Sequence, residues 1–240
     1  MKHIYDTHLL PPQWRCSMLQ TPTIVLNVKT YAEATAEKAL EIAKIMEKIS
    51  EETGVSMAIA VQATDIYFCN QNVSIPIFAQ HIDAIQPGSH TGWTLPHAVK
   101  QAGAVGTLIN HSEHRLTLAD IDACIKKAKE IAIDQIVCTN NIETSKAAAV
   151  FSPTFIAVEP PELIGGDISV TTADPDIVSG SVQAVHSINK SIFVLCGAGV
   201  KNGKDVATSI ELGAQGVLLA SGVVKAKDKE QVLRDLASGI

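Results

Sequence analysis

The chain has 240 residues, of which 46% are hydrophobic, 18% charged and 4% aromatic, and its net charge is −6. That is ample material for a core and excludes disorder as the main state, while few large rings favour thin, repeated strand–helix layers. The acidic balance excludes a general affinity for nucleic acid or an anionic membrane, so an anionic small substrate would have to be held by local donors.

The opening MKHIYDTHLLPPQWRCS is too polar for a secretory signal and is broken by Pro11 and Pro12. Residues 1–17 are expected to be an upstream extension outside the fold, or a remnant of expression, with Met18 the expected true start and 18–240 one domain. From Thr23 onward, short apolar runs alternate with longer amphipathic segments. The runs are 23–27, 57–61, 77–80, 106–110, 135–139, 155–159, 192–196 and 216–220. Each is continuously apolar, as a parallel strand buried on both faces reads. Helical spacing recurs in 34–51, through Leu40, Ala43, Met46 and Ile49, and in 119–132, through Ile121, Ile125, Ala128 and Ala132.

Punctuation agrees. Thr117 with Asp120 predicts a capping box, and Asp174 with Pro175 predicts an N-cap and first helical residue. Gly103 and Gly213 stand where helices should end. QAGAVGTLIN (101–110) and ELGAQGVLLA (211–220) share one pattern of helix end, Gly-Ala-x-Gly and strand, and mark two equivalent corners. Eight strands over 18–240 leave about 28 residues for each strand, helix and pair of loops. The predicted fold is α/β, a closed (β/α)8 barrel.

In such a barrel, chemistry sits at the C-terminal strand ends. Those ends carry Asn27 and Lys29, Asn110 and His111, Cys138, Glu159, the turn Gly197-Ala198-Gly199, and Ser221-Gly222. Glu159 closes a buried run, where desolvation raises carboxylate basicity, and Pro160-Pro161 followed by ELIGGD suggests a lid with a stiff start. The paired glycine turns are built to hold a phosphate on main-chain N–H groups. Taken singly, Glu159 reads equally as a surface carboxylate, His111 as a structural histidine and Lys29 as a solvated turn; their convergence from separate strands favours function. No HxH or HExxH spacing supports a metal at His111. Five cysteines, odd in number and without a CxxC pair, point to a reducing compartment, the cytoplasm, with no disulfide framework and no zinc site; Cys138 and Cys196 are expected to be buried. No apolar run approaches the roughly 18 residues that span a bilayer.

Over 18–240, the segments NVK (27–29), QHIDAIQPGSHTG (80–92), NHSEHR (110–115), AVEPPELIGG (157–166), LCGAGV (195–200) and LLASGVVKAKD (218–228) together resemble the triosephosphate isomerase family, in its compact archaeal form. The short stretch 142–149 is similar to the reduced helices of that branch. The resemblance implies interconversion of D-glyceraldehyde 3-phosphate and dihydroxyacetone phosphate through an enediolate, a step of glycolysis and gluconeogenesis that needs no metal or organic cofactor. It implies Glu159 as the base that moves the carbon-bound proton, and neutral His111 as the group polarising the carbonyl. Lys29 and Asn27 would stabilise the enediolate, with Glu113 a supporting carboxylate near Lys29. The lid would be Pro160, Pro161, Glu162, Leu163, Ile164, Gly165, Gly166 and Asp167, the Gly165 N–H joining Ala198, Gly199, Ser221 and Gly222 on the phosphate. The loop 86–93 would enter a neighbouring subunit, with Thr91 matching the inserted threonine, in a homodimer or homotetramer, the archaeal branch favouring tetramers.

One departure stands out. Where the family's lid ends Gly-Thr-Gly, this chain reads Gly165-Gly166-Asp167, from which a looser hinge is expected, and weaker phosphate affinity if Asp167 points inward. A different phosphosugar barrel, acting on a phosphoribosyl intermediate, would share the glycine turns but leave Asn27, Lys29 and His111 without work. A non-catalytic barrel would bind phosphate esters and exchange no substrate hydrogen with solvent.

Overall fold

The computed structural model describes residues 19–160 and 170–240. Eight parallel strands close into a barrel in sequence order: β1 (Thr23–Asn27), β2 (Ser56–Val61), β3 (Ile77–Ala79), β4 (Gly106–Ile109), β5 (Asp134–Thr139), β6 (Phe155–Val158), β7 (Phe193–Cys196) and β8 (Gly216–Leu219), with β8 returning to β1. Every strand lies within one residue of its predicted bounds at either end. Between and after them run α1 (Glu37–Thr53), α2 (Ile66–Asn70), α3 (Pro96–Gln101), α4 (Leu118–Glu130), α5 (Ile142–Ala149), α6 (Val170–Ala173), α7 (Pro175–Ile188), α8 (Gly203–Glu211), α9 (Ser221–Val224) and α10 (Lys229–Ala237). The extension 1–17, Met18 and the lid positions 161–167 lie outside the described residues.

The strands read as continuous apolar runs because both faces are buried. In β1, Ile24 and Leu26 join Ile42 and Met46 of α1 in the layer between strands and helices. Val25, between them, joins Ala58, Phe78, Leu108, Ile136, Phe155, Leu195 and Leu218 in the barrel interior. Large Phe78 and Phe155 share that interior with small Ala58, Ala60 and Ala157, the mix of sizes that a narrow lumen takes. Strand parity then decides what rises above the core. Asn27, Gln80, Glu159 and Gly197 each stand two residues beyond an inward-facing residue, at the strand ends.

The helix signals carry their expected geometry with one refinement. The Asp174 side chain accepts from the Ile177 N–H, with Pro175 first in α7. Gly103 (φ 107°) and Gly213 (φ 97°) follow the C-caps of α3 and α8 in the left-handed region that glycine adopts without steric cost. Thr117 caps α4 by accepting from the Asp120 N–H, but the short Asp120 side chain takes the Thr117 hydroxyl at 2.7 Å instead of reaching back to the main chain. The stretch 142–149 is the short α5, started by Asn141 and Thr144 in a reciprocal cap.

Candidate active site

The β1 end is a locked turn. Lys29 holds a left-handed backbone (φ 52°), and Asn27 Oδ1 accepts its N–H at 3.0 Å. That turn aims the Lys29 ammonium at Glu113, where Nζ donates to Oε1 at 2.7 Å. Gln80, just past β3, reinforces it from the next strands: its Nε2 donates to Asn27 Oδ1 (3.2 Å), to the Lys29 carbonyl (2.9 Å) and to the Ala60 carbonyl (3.3 Å). Gln80 is not among the residues that the sequence singles out for chemistry. Its available signal was parity, since a polar residue two beyond Phe78 must face the same inner side. Gln80→Met keeps the bulk and removes the fork, leaving two carbonyls and the Asn27 oxygen short of a donor. We expect a loss of about 2 kcal/mol in unfolding free energy and roughly tenfold in turnover, read by denaturant titration and steady-state kinetics.

His111 follows β4 through Asn110, itself left-handed (φ 63°) and held by bonds from its side chain to the Cys138 carbonyl (2.9 Å) and from the Leu116 N–H (2.8 Å). The Glu113 N–H donates to His111 Nδ1 at 3.2 Å. An imidazole that accepts at Nδ1 carries its proton on Nε2. Burial, and then the nearby Lys29 charge, push the His111 pKa down to about 4, so the ring is neutral at physiological pH.

Glu159 begins where β6 ends, its N–H bound to the Thr139 carbonyl at 2.7 Å. Only 7% of the residue is exposed. Burial raises its pKa to about 7, against a smaller lowering by the hydrogen bond from the Cys138 thiol. Its Oε2 stands 3.7 Å from His111 Nε2 and has no hydrogen-bond partner among the described residues. Gly197 lies against the carboxylate: a Cβ there would stand 2.9 Å from Glu159 Cγ and 2.7 Å from the Leu218 carbonyl oxygen. The carboxylate is therefore desolvated, unpaired at one oxygen among the described residues and walled in.

One cleft is lined by Asn27, Lys29, His111 and Glu159 together with the turns at Ala198–Gly199 and Ser221–Gly222. The structure thus brings together the predicted base, imidazole, cation and both glycine turns, with Glu113 reaching in through Lys29. Pro160 is buried directly after Glu159, whereas Pro161, Glu162, Leu163, Ile164, Gly165, Gly166 and Asp167 lie outside the described residues. Thr91 is exposed. Cys138 and Cys196 are buried, with burial pushing both thiols above their ordinary range. No cluster of three or more His, Cys, Asp or Glu among the described residues is placed to hold a metal.

A family model described as triosephosphate isomerase matches residues 22–236. The chain is 57% identical over 213 residues to a triosephosphate isomerase of Methanocaldococcus jannaschii, covering 89% of this chain and 97% of that protein. It is 55% identical over 215 residues to one of Methanosarcina barkeri, covering 90% and 97%, and 53% identical over 221 residues to one of Methanobacterium bryantii, covering 92% and 98%.

Proposed function

The chain belongs to the triosephosphate isomerase family, and from that premise we propose that its barrel interconverts D-glyceraldehyde 3-phosphate and dihydroxyacetone phosphate, with Glu159 as the base. Glu159 takes the proton from the carbon beside the carbonyl and returns it to the neighbouring carbon. His111 donates its Nε2–H to the carbonyl oxygen and passes protons between the two oxygens. Lys29, kept in place by Glu113 and Asn27, stabilises the enediolate charge, and the turns at Ala198–Gly199 and Ser221–Gly222 grip the phosphate. A neutral imidazole suits this work because it can give a proton to an alkoxide and recover it without passing through a stable cation. The lid 160–167, with Gly165 on the phosphate, is proposed to exclude water from the intermediate.

The observation that carries the reading is the buried Glu159 carboxylate, its pKa raised to about 7, standing 3.7 Å from a neutral imidazole in a cavity walled by two glycine turns. Incubation of either triose phosphate in deuterated water tests it. We expect interconversion with solvent deuterium entering at the reacting carbon; substrate recovered unexchanged would reject it.

We also propose a homo-oligomer, a tetramer rather than a dimer, in which the loop 86–93 of one copy, with Thr91, enters a recess beside Lys29 and Glu113 of another. Support comes from that recess, which Tyr31, Gln80, His81 and His114 also line, and from Trp93, 58% exposed on the loop. Trp93→Asp is expected to shift the mass by light scattering toward the 25.5 kDa of one chain and to cut activity at least tenfold; an unchanged assembly would place the interface elsewhere. Among the described residues no helix is long and apolar enough to cross a membrane, and Cys69, Cys124, Cys138 and Cys196 are free thiols, which suits a reducing cytoplasm.

A further inference from the structure

The two ends of the cavity are unequally supplied with positive charge. At the reacting end stands Lys29, its Nζ 2.7 Å from Glu113 Oε1. At the other end the two glycine turns offer main-chain N–H groups, which carry only partial charge, and α9 behind Ser221 is a single turn of four residues. A phosphate monoester is close to a dianion at neutral pH, and a chain of net charge −6 repels it. The family resemblance in this segment rests on LCGAGV, which stops at Val200. The next residue is a lysine.

Lys201 lines the same cavity as Gly199, Ser221 and Gly222. Its stem passes over the second turn: a Cβ on Gly222 would stand 3.7 Å from Lys201 Cγ and 3.8 Å from its Cα. Its root is fixed, because Asp205 Oδ2 accepts the Lys201 N–H at 3.0 Å while the Asp205 N–H is itself held by Asn202 Oδ1 at 2.9 Å in the cap of α8. A lysine anchored at its main chain, beside both phosphate turns, delivers a compact ammonium on a flexible stem. We infer that Lys201 is the cation of the phosphate end, a binding residue that sets affinity for the substrate's phosphoryl group. The inference rests on the isomerase reading of the same cavity.

Uniform binding of substrate and transition state appears in KM and not in kcat. For Lys201→Met in the full chain, we expect KM for D-glyceraldehyde 3-phosphate to rise about tenfold with kcat within twofold of the parent. The inhibition constant for inorganic phosphate should rise by the same factor, and Lys201→Arg should recover both to within about threefold. Raising ionic strength should weaken kcat/KM less steeply in Lys201→Met than in the parent. A structural role would instead lower kcat or melting temperature and leave phosphate inhibition alone. That result, or KM and phosphate inhibition both within twofold of the parent, would overturn the inference. If Lys201→Met does not fold, Lys201→Gln makes the same comparison. A parent that isomerises nothing would sink the isomerase reading separately, and inorganic phosphate binding by calorimetry, parent against variant, would still decide Lys201.

Discussion

Glu159→Gln is expected to lower kcat by between a hundredfold and ten-thousandfold while leaving the barrel folded, because the amide keeps the shape of the side chain and cannot take a proton. Activity within tenfold of the parent would mean that the base lies elsewhere. The same substitution should raise stability in alkaline solution. Folding lifts the Glu159 pKa from 4.5 to about 7, chiefly by burial, so between those values the folded chain binds more protons than the unfolded one. Stability from this group is therefore full below pH 4.5 and falls as pH rises through 7, by about 3 kcal/mol in all. The glutamine variant escapes that loss. At pH 8 it should melt higher than the parent, and at pH 4.5 the two should converge. His111 acts in the opposite sense, its lowered pKa draining stability as pH falls from 6.5 toward 4, but it does so in both proteins and cancels in the comparison. The parent's kcat/KM should lose about tenfold per pH unit below pH 7 as Glu159 takes up its proton. A base that gains activity at a cost in stability is what a desolvated, unpaired carboxylate implies.

The barrel was legible because its physics is repetitive. A strand such as β1, with Ile24 and Leu26 toward the helices and Val25 toward the lumen, can only read as an unbroken apolar run. Glu159 was legible because a carboxylate that closes such a run has nowhere to stand except the rim. The supporting contacts were less so, since they depend on parity and register between strands far apart in sequence. Cys138 pairs with Ala157 across the β5–β6 ladder, and Glu159, two residues beyond Ala157, then meets its thiol. Gln80 is the last residue of the predicted strand 77–80, whereas the ladder stops at Ala79 and the Gln80 amide turns to β1 and β2. The capping box at Thr117 failed in one half for a reason of length: aspartate is a methylene shorter than the glutamate that would have reached the main chain.

The repeated Gly-Ala-x-Gly corner carries the largest expected effect on stability. Its second glycine opens β4 as Gly106 and β8 as Gly216, and the two differ in what they touch. Gly216 pairs with Thr23 where β8 closes on β1, at φ 141°, and a Cβ there would stand 2.2 Å from the Thr23 carbonyl oxygen and 2.8 Å from its nitrogen. Thr23 cannot retreat, because its other side is tied to Ser56 of β2 by the ladder and by its hydroxyl on the Ser56 carbonyl at 3.1 Å. Gly216→Ala is therefore expected to cost about 4 kcal/mol or more and to lower the melting temperature by roughly 8–16 °C. At Gly106 the obstacle is the Phe78 ring, 2.1 Å from the added carbon. A ring can be trimmed, so the damage of Gly106→Ala should be partly relieved by Phe78→Leu, whereas no side-chain change relieves Gly216→Ala. Gly54 separates strain from collision: it too is left-handed (φ 74°), but a Cβ there meets nothing within 4 Å. Gly54→Ala should cost only about 1–2 kcal/mol, the conformational term alone. Should Gly216→Ala prove no worse than Gly54→Ala by thermal unfolding, the closure of the barrel would not depend on main-chain contact between β8 and β1, and the two glycine corners would be alike by sequence preference rather than by packing.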